Sequence, residues 1–405
     1  MTGDDLCYIS AAEALRLFRS RKLSPRELMA AIVARAGMIN PIINCFADNY
    51  FEEALAQAAE AEQRYTKRSG APAPLDGIPL AVKDAQRVAG KRTTHGSLIF
   101  KDARDDRSDP MIERLQKAGA IVFARTTTPE FCLSGATHSR MWGITRNPWN
   151  RDYGPGGSSG GSGAALAAGL ATLATGTDIG GSIRIPASAC GGVGFQPPQG
   201  RNPDGPPGNF DRYNHCGPMT RTIADAALMQ NITSGPHPLD HDSIRDRVRL
   251  PLKGASIKGM KIAYSIDFGY VEVDPEVRRN TLQTLDVFRR LGAKVEEVET
   301  HFADTHDMIR MMWPAHYAGS WSQYLPEWRD KMDPGFMACI EDGLRVSLPD
   351  YIDMRGRKMA HWDSVRPLFE KHDLLLTPSV SVAAFPLGRL NPEHWPQHAW
   401  DWLGW

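Results

Sequence analysis

Between Tyr153 and Ser188 the chain reads YGPGGSSGGSGAALAAGLATLATGTDIGGSIRIPAS: two glycine-rich turns, each built around serine, joined by a small-residue helix and a strand. Glycine admits positive φ and lets backbone N–H groups come close to a bound atom. In Asp178-Ile179-Gly180-Gly181-Ser182 several consecutive N–H groups can converge on one point. That arrangement suits an oxyanion, whose donors must be fixed before the charge develops. Ser182 closes the run and stands where a nucleophile would have to stand. A serine needs a base, and no histidine lies near either turn. The segment IPLAVKD offers Lys83 instead. Burial disfavours the ammonium form, so a lysine ending an apolar strand can present a neutral amine, and a Ser-Lys pair is one version of the serine-triad arrangement. Taken alone, a Gly/Ser-rich run is more often a linker or a phosphate loop. A phosphate loop needs a lysine directly after its glycines, and none follows here.

Alternating strands and helices must position these residues. IPLAVKD reads as a buried strand, Met111 to Ala118 as a helix and AIVFAR as a strand. Gly163 to Leu170 reads as an Ala-rich helix and LATLATGTD as the strand after it. Two further units come late: MKIAYS, a helix from Pro275 to Leu291 and KVEEVE; then a helix ending near Lys371 ahead of DLLLTP. This alternation predicts an α/β fold with helices on both faces of a sheet. The first 70 residues read as helices. Ser10-Ala-Ala-Glu13 and Ser24-Pro25-Arg26-Glu27 both match the capping box, with Pro25 at the first helical position, and a third helix covers Phe51 to Tyr65. Residues 67–74 are a Ser/Gly/Pro break, and the Pro/Gly-rich stretch 197–216 reads as a loop, because α/β units continue on both sides. There is no internal repeat.

Composition narrows the function classes. Lys plus Arg equal Asp plus Glu at 47 each, which gives no electrostatic case for nucleic acid or an anionic membrane as partner. The opening MTGDDLCYIS lacks the basic and apolar regions of a signal peptide, and no long uncharged apolar run predicts a membrane span. Six cysteines without a C-x-x-C pair suit a reducing cytosol, so a cytoplasmic location is expected. His237/His241 and His394/His398 have metal-like spacing, but each pair encloses a proline, so neither places two histidines on one helix face. Surface loops are expected there, with no metal site and no cofactor. Ile309, Met312, Trp313, His316, Tyr317, Trp321 and Tyr324 form a stripe at helical spacing, for which core packing is the favoured reading.

Segment 153–188 resembles the amidase signature, and the resemblance extends through most of residues 10–380. PLDGIPLAVKD (74–84), TTHGS (93–97), LQKAGAIVFARTTTPEF (115–131), GITRNPWN (143–150), GPMTRTIADAALM (217–229) and LLLTPS (374–379) support it. It implies one amidase signature domain over 1–405, with a large mixed central β-sheet covered by helices on both faces. Within it, 1–70 would be a helical N-terminal part, 71–230 the catalytic core and 231–405 a variable, substrate-facing part. It further implies a Ser-cisSer-Lys triad of Ser182, Ser158 and Lys83, with a cis peptide joining Gly157 to Ser158. N–H groups of Ile179, Gly180, Gly181 and Ser182 would hold the oxyanion. Gly157, Ser159, Asp178 and Arg184 would support the two turns, and Leu133, Ser134 and Gly135 would lie beside the nucleophile and contact substrate. The aromatic stripe at 309–324 would then be an alternative wall of the acyl pocket. The activity implied is amide hydrolysis through a serine acyl-enzyme. The substrate would be a small amide, anilide, ester or carbamate, and the enzyme a monomer or homodimer. Two other readings share the scaffold: the ammonia-releasing component of a glutamyl-tRNA amidotransferase (its A subunit), and a non-catalytic binding protein. The chain departs from the family at Thr127, where relatives carry Asn. It also stops at DWLGW, where relatives continue with a segment that returns to the sheet, so the resemblance reads the C-terminal end as shortened.

Overall fold

The computed structural model describes residues 3–66, 72–206, 208, 212–300, 302 and 305–392. The chain forms two compact units, Met1–Lys253 with Pro386–Gly388, and Gly254–Phe385 with Arg389–Trp405. The first runs α1 (Gly3–Cys7), α2 (Ala11–Arg19), α3 (Pro25–Ile43), β1 (Phe46–Asn49), α4 (Phe51–Thr66), β2 (Pro79–Lys83), α5 (Pro110–Lys117) and β3 (Ile121–Thr126). It continues through the short hairpin of β4 (His138–Ser139) and β5 (Gly143–Ile144), then α6 (Gly160–Ala167), β6 (Leu173–Asp178), α7 (Arg184–Cys190), β7 (Val193–Gly194), β8 (His215–Thr220) and α8 (Ile223–Thr233).

Six of these strands make one mixed sheet in the order β1-β3-β2-β6-β8-β7. β2 runs parallel to both neighbours, whereas β1 pairs antiparallel with β3, and β8 antiparallel with β6 and β7. Every residue of β2, β3 and β6 is buried, so the centre of the sheet is covered on both faces, as parallel strands require. Helix α4 lies against β3, α8 against β8, and α6 touches β2, β3, β6 and β8. The α/β architecture expected from the alternation is therefore present.

The second unit contains β9 (Lys261–Tyr264), α9 (Pro275–Arg290), β10 (Lys294–Glu297), α10 (His306–Trp321), α11 (Leu325–Trp328), α12 (Pro334–Gly343), α13 (Leu348–Lys371) and β11 (Leu374–Leu376). Its three strands form a parallel sheet in the order β10-β9-β11. In the aromatic stripe, Trp313 and Tyr317 are buried core residues of this unit, and Tyr317 meets Phe336 edge-on with ring centroids 5.6 Å apart.

Three local expectations are corrected. The first 70 residues are not all helical, because Phe46–Asn49 forms β1 at the sheet edge. Four residues carry too little periodicity to announce a strand, and its partner β3 lies far along the chain. Helix α6 begins at Gly160, ahead of the alanine run. Its first turn is fixed by Ser162, whose Oγ lies 2.7 Å from Thr126 Oγ1 and donates to the Thr175 carbonyl at 2.8 Å. The capping box at Ser24 forms with both reciprocal bonds, but the one at Ser10 forms only in half. There Glu13 turns to Arg16, and the α2 N–H groups of Ala11 and Ala12 donate instead to the Asp225 carboxylate at 3.0 and 2.9 Å.

Asp225→Ala strands those two donors and removes a charge from a helix N-terminus. A loss of about 1–3 kcal/mol is expected, which lowers the melting temperature by roughly 2–4 °C per kcal/mol for a unit of this size. A melting temperature equal to wild type would remove Asp225 from the docking of α2.

Candidate active site

Because β2 and β6 are adjacent and parallel, their C-terminal ends lie side by side. Lys83 ends β2 and its side chain is wholly buried. Its Nζ lies 2.6 Å from Ser158 Oγ, 2.8 Å from Thr177 Oγ1 and 3.5 Å from the Thr177 carbonyl oxygen. The Lys83 backbone N–H donates to Thr175 Oγ1 at 3.2 Å. Thr175 and Thr177 are two apart on β6 and so share a face. That face meets the end of β2.

The two glycine-rich turns are joined through the backbone. The Gly157–Ser158 peptide is cis. The Ser159 N–H donates to the Ser182 carbonyl at 3.1 Å, and the Ser159 hydroxyl donates to the Thr177 carbonyl at 3.4 Å. Ser158 and Ser159 are fully buried, and Ser182 is nearly so. Gly157 is needed for close approach: a Cβ there would lie 2.8 Å from the Ser134 carbonyl oxygen and 2.9 Å from the Gly135 carbonyl carbon. The structure thus sets segment 133–135 directly against the residue preceding Ser158. Leu133 and Ser134 are buried, and Ser134 Oγ accepts the Ala136 N–H at 3.0 Å.

Asp178 organises the second turn. Its carboxylate accepts the N–H groups of Gly181 at 2.7 Å, Ile183 at 3.0 Å and Arg184 at 3.3 Å. It also forms a two-pronged ion pair with Arg184, at 2.9 Å to Nε and 2.8 Å to Nη2, and accepts Gln196 Nε2 at 3.1 Å. Gly181 has φ of 109°, a value side-chain-bearing residues avoid. Its N–H is committed to Asp178. Among the described residues, the N–H groups of Ile179, Gly180 and Ser182 donate to no protein acceptor.

The amidase family profile matches residues 27–405. The chain belongs to the amidase signature family. It is 33% identical to an acylamidase of Rhodococcus erythropolis across all of this chain and 86% of that protein. It is 36% identical to the A subunit of a glutamyl-tRNA(Gln) amidotransferase from Geobacter metallireducens, across 91% of this chain and 82% of that one. Among solved structures, a bacterial aryl acylamidase of the same family superposes with a TM-score of 0.87 at 29% identity, covering 94% of this chain and 81% of that chain. The protein is thus an amidohydrolase of this family, acting on small amide substrates. No described helix is long and apolar enough to cross a membrane.

In this amidase, burial pushes the Lys83 amine below the usual lysine range, opposed by the neighbouring Cys132 thiol and Asp178 carboxylate. Asp84, the next residue, faces elsewhere. It accepts the Thr94 N–H at 2.9 Å and Trp142 Nε1 at 3.0 Å, and stands 3.8 Å from Arg125 Nη2. Burial raises the Asp84 carboxyl, and Arg125 opposes that rise. His95 is half-buried, and desolvation together with the Arg125 charge holds its imidazole down at about 4, so it is neutral near pH 7. Its backbone N–H donates to the Asp84 carbonyl at 2.9 Å.

Sequence reasoning missed Thr177, Cys132 and the wholly buried Arg125, whose Nη2 donates to the Gln86 carbonyl at 2.5 Å and the Lys83 carbonyl at 3.2 Å. The signal for Thr177 was present as polar residues at i and i+2 in a buried strand leading into a glycine turn. Among the described residues no group of three or more His, Cys, Asp or Glu could hold a metal ion. His237 Nδ1 accepts the Leu239 N–H at 3.2 Å within a local loop. His394 and His398 lie outside the described residues.

Burial would raise the Asp178 carboxyl, but Arg184 and the N–H groups of Gly181 and Ile183 outweigh it and hold it below the usual range. A depressed native pKa gives stability that is present above the unfolded value, about pH 4, and is lost as pH falls through the native value. Arg184→Met should therefore lower stability at pH 7 by about 1–3 kcal/mol, and the difference from wild type should shrink below about pH 4. Denaturation midpoints across pH test this; a deficit that grows in acid would contradict it.

Proposed function

We propose that this amidase hydrolyses the carbon–nitrogen bond of a small amide through an acyl-enzyme on Ser182, with Ser158 as proton relay and Lys83 as base. The observation that carries the reading is the 2.6 Å contact between the buried Lys83 Nζ and Ser158 Oγ. A neutral amine there accepts the Ser158 proton as Ser158 takes the proton of Ser182. Ser182 Oγ then bonds to the amide carbonyl carbon, and the oxygen that gains the charge is held by the N–H groups of Ile179, Gly180 and Ser182. Gly181 could join them only by releasing Asp178. The proton returns through Ser158 to the leaving nitrogen as the C–N bond breaks, and water then hydrolyses the ester. Ser159, Asp178, Arg184 and Gly157 act by fixing the two turns. Leu133, Ser134 and Gly135 line the path of the substrate beside Gly157.

Likeness to an acylamidase and an aryl acylamidase favours acyl amides and anilides over esters and carbamates as substrates. Scattered cysteines without a paired motif suit work in a reducing cytoplasm, as monomer or homodimer. A second reading, the glutaminase component of a tRNA amidotransferase, is favoured by the 36% identity to one such protein. The purified chain separates the two: turnover of an acyl anilide supports the first, and activity with glutamine alone supports the second.

Intact-mass spectrometry after treatment with a fluorophosphonate should give a single adduct on the Ser182 peptide; an adduct on another serine with Ser182 free would sink the assignment. Single-turnover acylation should rise with pH along one limb whose midpoint lies below that of free lysine, about 10.4. Lys83→Ala should lose most activity and flatten that limb, and Lys83→Arg should fail to restore it because guanidinium stays protonated. An Arg variant near wild-type rate would make Lys83 a charge and not a base.

A further inference from the structure

A neutral amine has two N–H donors and a lone pair, and an ammonium ion has three donors. A Lys83 that takes the Ser158 proton therefore needs a third acceptor. Ser158 Oγ at 2.6 Å and Thr177 Oγ1 at 2.8 Å serve two donors, and the Thr177 carbonyl at 3.5 Å is a distant third. The side chain of Cys132 also stands beside this amine. No step of the chemistry above uses it.

The backbone is strained to put Cys132 there. Phe131 has φ of 48° and Cys132 φ of 63°, in the left-handed region where glycine fits better than either. The bend is tied to the residue that follows Lys83: the Phe131 N–H donates to the His95 carbonyl at 2.8 Å, and the His95 N–H donates to the Asp84 carbonyl at 2.9 Å. The rings of His95 and Phe131 stack with centroids 6.1 Å apart. Within the bend the Cys132 N–H donates to the Pro129 carbonyl at 3.0 Å, and Cys132 Sγ lies 3.3 Å from Thr128 Oγ1. Side chains kept where the backbone favours glycine point to a use for those side chains. Phe131 packs on His95, and Cys132 meets the amine.

The other titratable and charged groups around Lys83 are occupied elsewhere. Asp178 of β6 and Cys216 of β8 also lie near the amine. Asp178 is engaged by Arg184, and burial pushes the Cys216 thiol well above its usual range, so it stays protonated. Asp84 turns to Thr94 and Trp142. Arg125 of β3 donates to the Lys83 backbone carbonyl, and the His95 imidazole is neutral near pH 7.

We propose that Cys132 is a positioning residue for the base: its sulfur accepts an N–H of the ammonium that forms when Lys83 takes the Ser158 proton, and holds that ammonium toward Ser158 until the proton returns. The inference rests on Lys83 acting as base. Sulfur is a weak acceptor, which suits the task. A carboxylate in its place would keep Lys83 charged before substrate arrives. A weak acceptor steadies the ammonium and leaves the resting amine free to take a proton. The proton moves from Ser182 to Ser158, from Ser158 to Lys83 and back through Ser158 to the leaving nitrogen, and none is exchanged with sulfur.

Two titrations of Cys132→Ala against wild type test this: the Lys83 side-chain nitrogen followed by NMR, and single-turnover acylation of Ser182 by an acyl anilide. Removing the acceptor favours the neutral amine. Both the NMR midpoint and the acylation limb should therefore move to lower pH by about half a unit to one unit, the size of one hydrogen bond. The acylation plateau should fall about two- to threefold, since a weaker base takes the proton more slowly. Cys132→Ser, which keeps an acceptor, should return both midpoints most of the way to wild type. Midpoints unmoved by Cys132→Ala, beside a wild type that shows the limb, would overturn the role of Cys132 and leave Lys83 as base, because a residue that only shapes the bend changes the rate alone. A wild type with no limb would strike Lys83 as base, and the role of Cys132 with it.

Discussion

The site depends on a buried amine without a counter-ion. Lys83 Nζ is hydrogen-bonded to neutral oxygens of Ser158 and Thr177, with the Cys132 side chain beside them. Holding an ammonium ion in such a place costs several kcal/mol, and burial lowers the pKa of the amine accordingly. Both nearby carboxylates are kept from reversing this. Asp84 follows Lys83 in sequence yet turns to Thr94, Trp142 and Arg125. Asp178 is engaged by Arg184 and three backbone N–H groups. A carboxylate in contact with the amine would instead favour its charged form, against the role as base proposed for Lys83.

Around that amine, precision comes from backbone meeting backbone. The Ser159 N–H holds the Ser182 carbonyl, which ties one serine turn to the other without relying on a flexible side chain. Gly157 sits so close to the carbonyls of Ser134 and Gly135 that any side chain would push the segments apart. The small-residue helix α6 lets the sheet approach from the other side, with Ser162 bonded to Thr126 and Thr175 on two different strands. Rigid elements and short contacts fix Lys83, Ser158 and the Ser182 turn, which for the proposed reaction is the form of preorganisation that lowers an electrostatic barrier.

The two serine turns and the buried lysine that the structure brings together were legible in the sequence because glycines mark both turns and an apolar strand leads into Lys83. The α/β alternation was legible for a similar reason, since β2, β3 and β6 are buried on both faces and read as apolar runs. What escaped was set by partners distant in sequence. Asp225 caps α2 across 214 residues, so the Ser10 capping box looked complete when only half of it forms. Strand β1 exists through its pairing with β3 and carries no pattern of its own. Arg125 looked like the end of a strand, and only the fold reveals that its guanidinium is buried against Asp84, Gln86 and Thr93. Cys132 influences Lys83 through a bend in which Phe131 and Cys132 both take positive φ, which their residue types do not signal.

The mechanism stands on Lys83 being a neutral amine in the resting enzyme. An NMR pH titration of the lysine side-chain nitrogens reads that state, with the Lys83 signal assigned by its loss in Lys83→Arg. This signal should titrate well below the free-lysine value of about 10.4 while the surface lysines stay near it. A Lys83 nitrogen that remains ammonium up to that value, in a folded and active enzyme, would contradict the mechanism.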